Sequence, residues 1–476
     1  MKKNGLIWLA LTAMPISVVA QEFTERNIEN VNPIIYGDVI WLDSDNDGRK
    51  EFVLTGAGEE YGENSQFFKN TSDVFEEVMD LIEPVQLSAM AKADFNNDEF
   101  EDFIITGYNG DINTTHLYLN SGDGDFEQIP LDINAVTNGK IDAADYNLDG
   151  RVDIIMTGVD TNSTYIAKMY LQNHAGEFVE QEMDLMANYF GDICSFDADN
   201  DGDLDLLLTG FDLTYAPKTT FYLNNSLGGM TAVEDAGFMN FYFSSSAAAD
   251  IDSDGDLDLV INGINASFTA QTTVYTNDGE GVFTEVEDEA ITDMYFGTID
   301  LIDYNGDGHV DLFMTGYNAD SDPVSVAYDN EEGAFVLNEL LSDTVIDVAI
   351  SGVEWSDYDN DSDLDLIITG MNIDGERAFR LYENRTFEPF YVGLEKNELV
   401  QIEIYPNPNN GTFKIDFESQ ITDDVEIEVY NTQGEMIYRS LEFQHATIDL
   451  SGIAKGIYFI HFNAEIDSAV QKIVVN

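Results

Sequence analysis

One arrangement of acidic side chains recurs along this chain and sets its chemistry. Nine residues from Asp43 read Asp-Ser-Asp-Asn-Asp-Gly-Arg-Lys-Glu, with side-chain oxygens at positions 1, 3, 5 and 9: Asp43, Asp45, Asp47 and Glu51. The same four positions hold Asp94, Asn96, Asp98 and Asp102, then Asp145, Asn147, Asp149 and Asp153. They hold Asp197, Asp199, Asp201 and Asp205 in the fourth copy, and Asp250, Asp252, Asp254 and Asp258 in the fifth. The last two copies hold Asp303, Asn305, Asp307 and Asp311, and Asp357, Asp359, Asp361 and Asp365. Position 7 varies freely (Arg49, Phe100, His309), as expected where only the backbone carbonyl is used. Hard oxygens this close together suit calcium, which takes about 6–8 of them. A plain Asp/Asn/Gly turn needs no such concentration of charge. An EF-hand needs a Glu at position 12 between two helices, whereas position 12 here is apolar (Leu54, Leu208). Glycine at position 6 supports a sharp turn. The second and seventh copies have Glu99 and Ser362 there, so weaker binding is expected at those two.

The elements that must position these oxygens repeat with them. First residues are 51 to 54 apart, a period that marks propellers, solenoids or arrays. Thirteen residues after each first Asp stands a glycine, from Gly56 to Gly370, preceded by Thr in six copies. Six residues before each first Asp stands Gly or Ser: Gly37, Ser88, Gly139, Gly191, Ser244, Gly297 and Ser351. A small residue there fits a crowded innermost strand. Tracts such as Leu206-Leu207-Leu208 are apolar on both faces, as buried strands are. Strands like Leu117-Tyr118-Leu119-Asn120 follow, then Phe-led strands at Phe126, Phe178 and Phe283. Four short strands in each of seven units predict an all-β, seven-bladed β-propeller. Phe23-Thr24-Glu25 and Phe387-Glu388-Pro389-Phe390 are both candidates for the strand that completes the last blade.

The charge balance bounds the partners. The chain has 92 Asp+Glu against 19 Lys+Arg, a formal net charge of -73. Such a surface repels nucleic acid and anionic lipid. Residues 1–20 read as a signal peptide: Lys2 and Lys3, an apolar stretch, and Val18-Val19-Ala20 before a mature start near Gln21. No other run suggests a transmembrane segment. Cys194 is the single cysteine; it is expected as a small buried hydrophobe, leaving metal sites rather than disulfides to brace the fold.

The D-x-D-x-D-G-x-x-D loop, its apolar run and its Thr-Gly resemble the FG-GAP/VCBS repeat over roughly residues 30 to 390. That resemblance implies an integrin-α-like propeller with calcium at each loop. The C-terminal segment has Tyr405-Pro406-Asn407-Pro408, Gly411, Phe413, alternating Val425, Ile427 and Val429, a turn at Gln433-Gly434, Gly456-Ile457-Tyr458 and a Lys472-Ile473-Val474-Val475 end. By pattern it is a small Ig-like β-sandwich, and it resembles the type A C-terminal sorting domain of type IX secretion. The resemblance implies the type IX machinery as a partner and a secreted or outer-membrane-surface location. The expected domains are a propeller at 21–395, a linker at 396–401 and the sorting domain at 402–476.

Five scattered histidines and no nucleophile motif give no catalytic constellation. The leading expectation is a non-enzymatic adhesion or ligand-binding module for a glycan or protein. The alternatives are a propeller-based carbohydrate-active enzyme of polysaccharide-lyase type and a structural cell-surface component. Loops after Thr-Gly carry Tyr61, Tyr108, Tyr165, Phe211, Tyr215, Phe268 and Tyr317, whose faces suit stacking. Polar residues two past the glycine (Asn109, Asp160, Asp212, Asn265, Asn318, Asn372) read as turn formers.

Overall fold

The computed structural model describes residues 23–71, 74–122, 124–286 and 290–385, together with 402–405, 412–417, 425–431, 436–442, 445–450, 455–463 and 468–475. The signal segment, the linker, Phe387-Glu388-Pro389-Phe390, Pro406-Asn407-Pro408, Gly411 and Gln433-Gly434 lie outside those residues. The chain divides into two compact units, Met1–Phe387 and Glu388–Asn476.

The first unit is a seven-bladed propeller of antiparallel sheets. In blade 1 the strands Ile35–Leu42, Glu51–Ala57, Glu63–Asn70 and Phe75–Val78 pair in chain order. Blades 3 and 6 differ only in a split inner strand, as in Val136–Thr137 and Ile141–Ala144. Blade 7 takes its outer strand from the other end of the chain. Phe23–Arg26 pairs antiparallel with Arg377–Asn384, placing Phe23 opposite Asn384. Arg26 Nη1 meets Glu383 Oε2 at 2.7 Å, Arg380 Nε meets Glu25 Oε1 at 3.0 Å, and the Phe23 ring lies edge-on to Trp355. The ring is therefore closed by the N-terminal of the two candidate segments.

The second strand of each blade is apolar on both faces because both are covered. Leu206, Leu207 and Leu208 are fully buried, as are Leu366, Ile367 and Ile368. The core lies between blades: Leu207 of blade 4 meets Leu259 and Ile261 of blade 5, with Cys194 in the same cluster. Each such side chain contributes about 1.5–3 kcal/mol on burial.

The inner strands crowd the axis, as the small residues predict. A Cβ on Gly37 would lie 1.8 Å from Thr55 O, and one on Gly191 would lie 1.8 Å from Thr209 O. Where the residue is serine, its hydroxyl reaches the threonine of the preceding blade: Ser88 to Thr55 at 2.9 Å and Ser244 to Thr209 at 2.8 Å. The residue just before is left-handed in all seven blades, from Tyr36 (φ 53°) to Ile350 (φ 52°). This conformation turns its backbone toward the next blade. Asn138 N–H donates to Leu87 O, Phe190 to Asn138 O, Phe243 to Phe190 O, Phe296 to Phe243 O and Ile350 to Phe296 O, at 2.7–3.2 Å. Lys140 lines the axial channel beside this ring. Desolvation in the channel would lower its pKa, but Asp192, Asp38 and Asp300 more than offset that and raise it.

The second unit has a three-stranded sheet (Ile402–Tyr405, Thr412–Phe417, His445–Asp449) and a four-stranded one (Met436–Glu442, Val425–Asn431, Gly456–Asn463, Ser468–Val475). Phe413, Ile415 and Ile448 are buried on the first, and Ile427, Val429 and Ile460 on the second. This is the small β-sandwich expected. Among the described residues no helix is long and apolar enough to cross a membrane; the one α-helix, Glu339–Thr344, is a single turn capped by Asn338.

Candidate metal loops and the opposite face

Each acidic loop joins the first and second strands of a blade, and its four predicted side chains have distinct jobs. The position 1 carboxylate closes the loop. Asp197 accepts the N–H groups of Asp201 (3.1 Å) and Gly202 (3.0 Å), and Asp43, Asp94, Asp145, Asp250, Asp303 and Asp357 repeat this. Position 5 accepts the N–H of position 7, as Asp98 does from Phe100 at 3.0 Å. Asparagine at position 3 turns its oxygen onto the N–H of position 5 in Asn96, Asn147 and Asn305. Position 6 is left-handed throughout, including Glu99 (φ 73°) and Ser362 (φ 83°), where a side chain makes that conformation strained.

Position 9 is buried in every blade: Glu51, Asp102, Asp153, Asp205, Asp258, Asp311 and Asp365 are at most 1% exposed. One oxygen of Asp205 accepts from Ala198 N–H at 2.9 Å and the other from Asn224 N–H at 2.8 Å, which ties the loop to the third strand. Burial pushes these carboxyls up. The backbone N–H groups pull them back down, and neighbouring loop carboxylates add to the rise. Asp102, Asp153, Asp205 and Asp258 reach about 6, Asp311 about 7 and Asp365 about 9.

Where position 3 is acidic, three of the four predicted side chains converge, and Glu51, Asp201, Asp258 and Asp361 stand outside the groups. Carboxylate oxygens within 4.8 Å of one another come from Asp43, Asp45 and Asp47; from Asp197, Asp199 and Asp205; from Asp250, Asp252 and Asp254; and from Asp357, Asp359 and Asp365. Loops 2, 3 and 6, with asparagine at position 3, bring together no such trio of acids among the described residues. These clusters could hold a metal, and the donor chemistry fits a hard divalent cation. Buried oxygens with no hydrogen-bond partner occur on Asp45 and Asp199 at position 3, on Asp361 at position 5 and on Asp311 at position 9. Three or four anionic oxygens within one turn repel without a countercharge.

Two supporting sets were not legible as such in the sequence. The Asn at the end of the third strand (Gln172 in blade 3) staples blades together. Asn277 Nδ2 donates to Ala198 O of the preceding blade (2.8 Å) and to Leu257 O (3.1 Å), and Asn224, Asn330 and Asn384 do the same. Its signal is an Asn two residues after a Tyr, as in Tyr222-Leu223-Asn224, Tyr275-Thr276-Asn277, Tyr328-Asp329-Asn330 and Tyr382-Glu383-Asn384. Position 4 is left-handed in each loop, and there Asn46 and Asn97 donate to the position 6 carbonyls of the next loops, Glu99 O and Gly150 O.

The opposite end of the blades carries aromatic rings. Antiparallel pairing sets Leu42 against Glu51 beside the acidic loop and Ile35 against Ala57 at the far end, so the Thr-Gly hairpins emerge on the other face. The polar residues after the glycine are turn formers, as predicted: Asp212 Oδ1 accepts from Thr214 and Ala216 N–H, and Asn265 from Ser267 and Thr269. Aromatic contacts run across several blades. Tyr165 stacks on Tyr189 (4.2 Å between centroids), Phe211 on Tyr242 (3.9 Å) and Phe243 on Phe296 (4.4 Å), while Phe190 bridges Tyr189 and Phe243. Tyr215 and Phe268 stand out from it, 68% and 72% exposed. The Arg377 guanidinium sits 4.6 Å over the Tyr61 ring, a cation–π contact. Sequence reading singled out the hairpin aromatics but missed the axial ones. Their signal was available in three successive blades as Tyr189-Phe190, Tyr242-Phe243 and Tyr295-Phe296.

Comparison with known proteins agrees with this architecture. The FG-GAP-like repeat family matches residues 94–156, 145–208, 197–261 and 303–368, each match spanning two acidic loops. The secretion system C-terminal sorting domain matches residues 403–476. No curated protein matches the chain. Among solved structures, a lectin of Aleuria aurantia in complex with a fucosylated disaccharide is 9% identical, covering 64% of this chain and 97% of its own, with a TM-score of 0.38. A rhamnogalacturonan lyase of Bacillus licheniformis is 12% identical, with 76% and 72% covered and a TM-score of 0.42. These likenesses carry no residue role over to this chain. Repeats, blades and tail together identify the chain as a seven-bladed β-propeller of FG-GAP-like repeats with a type IX secretion sorting domain, a secreted or outer-surface protein.

Proposed function

We infer that this protein is a calcium-braced ligand-binding propeller at the cell surface, with metal loops on one face and a ligand platform on the other. Calcium is the cation that best matches the loops. The ligands are all oxygens, and the loops combine carboxylate, amide and carbonyl donors around positions with unpartnered buried oxygens. When bound, the ion supplies countercharge and cross-links residues within each loop. The residues that would hold it are those at positions 1, 3, 5 and 9, with the position 7 carbonyl. Position 9 already fixes the loop to its blade, so an ion there would stiffen the loop against the whole sheet.

The observation that carries the ligand reading is the aromatic platform. A contiguous exposed apolar patch marks an interaction site more often than an isolated ring does, and Tyr215 and Phe268 are mostly exposed at the two ends of a run of rings through Tyr165, Tyr189, Phe211 and Tyr242. Rings held in this way suit the faces of sugar rings or the apolar anchors of a protein partner. The acidic surface disfavours anionic partners. The test is a glycan array probed with the wild type and with the Tyr215→Ala/Phe268→Ala double variant, each with calcium and with chelator. Binding that needs both rings and falls with chelation supports the reading. Binding that the double variant retains in full contradicts it.

A further inference from the structure

We propose that the cavity on the propeller axis, at the centre of the aromatic face, is a binding site for one neutral sugar ring. The proposal rests on the ligand reading above and deepens it, because it names a subsite and the charge class of sugar that fits it.

The inner strands run from the aromatic face toward the acidic loops, so their residues line the axis in a fixed order. The left-handed residue of each blade comes first, then the small residue, then the residue after it. The cavity takes in all three levels and holds about 690 Å³, open mouth included. Rings of Tyr36, Phe190, Phe243 and Phe296 meet at its mouth. Phe296 stacks on Phe243 with centroids 4.4 Å apart, Phe190 lies 4.8 Å from Phe243, and Tyr36 lies 6.0 Å from Phe296. The run of rings from Tyr215 reaches this mouth, because Tyr189 lies 4.8 Å from Phe190. Blade 3 adds the Asn138 amide at the same level, and Asp38 and Lys140 line the cavity two positions deeper.

The polar groups define the ligand by exclusion. Lys140 is exposed within the cavity, and among the described residues its ammonium has no hydrogen-bond or ion-pair partner. Asp192, Asp38 and Asp300 lie close enough to hold its proton on. The Asp38 carboxylate is fixed in place by Val39 N–H (3.0 Å) and Met90 N–H (3.2 Å), one on each oxygen, and each oxygen keeps acceptor capacity. A ligand carboxylate or sulfate drawn to Lys140 meets three carboxylates. A ligand ammonium drawn to those carboxylates meets Lys140. A neutral ring of hydroxyls meets neither repulsion, since it accepts from Lys140 and donates to Asp38. The C–H face of the same sugar lies against the rings of the mouth. Apolar walls with a few convergent polar groups are the usual makeup of a small-ligand site.

The experiment is a calorimetric titration of the full chain in calcium with methyl glycosides of glucose, galactose, mannose, fucose and N-acetylglucosamine. Glucuronic acid and glucosamine serve as the anionic and cationic counterparts. At least one neutral glycoside should bind, and both charged sugars should bind about tenfold more weakly or worse. Lys140→Met should weaken the neutral sugar by about tenfold or more, because it removes a hydrogen bond from a charged donor. Lys168→Met, which changes a lysine paired with Glu180 on the third strand of blade 3, should leave binding unchanged. A second measurement needs no variant: amine labelling of the wild type, read by mass spectrometry. The bound sugar should shield Lys140 and leave Lys168 as reactive as before. A neutral sugar that binds without shielding Lys140, or that binds Lys140→Met as tightly as wild type, overturns this subsite and leaves the platform reading standing. A charged sugar that binds as tightly as the best neutral one also overturns it. A wild type that binds no neutral sugar overturns the subsite together with the glycan half of the reading above.

Discussion

At the scale of single residues, the seven position 9 acids do two things. Each is a candidate ligand, and each bonds backbone N–H groups that would otherwise be buried without partners. Asp153→Asn keeps the size but presents an amide to one of those N–H groups. We predict a loss of about 1–3 kcal/mol in denaturant unfolding even without calcium. Their titration has a definite sign. Burial raises Asp102, Asp153, Asp205 and Asp258 to about 6 in the folded chain, above the ordinary carboxyl value near ~4. The folded state therefore holds protons that the unfolded chain releases. The stability these groups contribute is full below about pH 4 and is lost as pH rises through about 6. A bound cation opposes that loss. The chelated protein should thus show a melting temperature that falls between about pH 4 and pH 7, while the calcium-loaded protein holds its own. Parallel curves with and without calcium would contradict this.

At the scale of elements, the blade is the unit and its seams decide cohesion. Ring closure rests on four residues, Phe23–Arg26, and their ion pairs to blade 7. A chain lacking residues 21–26 would leave Arg377–Asn384 as an open edge, ready to pair with another copy. We predict a lower melting temperature together with concentration-dependent association in light scattering; an unchanged monomer of unchanged stability would rule this out. Most of the blade was legible in the sequence. A strict period, doubly apolar second strands and a small residue at the axis all follow from close packing and leave a pattern in residue type. The closing strand was not legible, because an edge strand of four residues has no periodicity to distinguish it from Phe387-Glu388-Pro389-Phe390. Nor was the ring of left-handed residues at the axis, since Tyr36, Leu87, Phe190 and Ile350 are types that seldom adopt it. There the inter-blade hydrogen bonds override local preference. The acidic loops were legible as loops, residue by residue, because their side-chain types recur in register. Their division of labour was not, since position 9 and the Asn staples act through backbone groups that no residue type records.

At the scale of the whole molecule, charge is the governing quantity. A net charge of -73 self-repels, and Cys194 is buried with its thiol pKa raised by burial, then by Asp192 and Asp142. Cohesion therefore comes from inter-blade cores, backbone seams and, on this account, cations at the loops. Seven divalent ions would supply about 14 positive charges, so most of the acidity serves solubility and the exclusion of anionic partners. The measurement that tests the account most directly is thermal unfolding of the full chain near neutral pH, in excess calcium and after exhaustive chelation, with bound ions counted by native mass spectrometry. The account predicts several calcium ions per chain and a melting temperature that drops by about 10 °C or more on chelation, since binding to the native state alone adds stability at every occupied loop. A chain that carries no calcium and melts at one temperature in both conditions would contradict it.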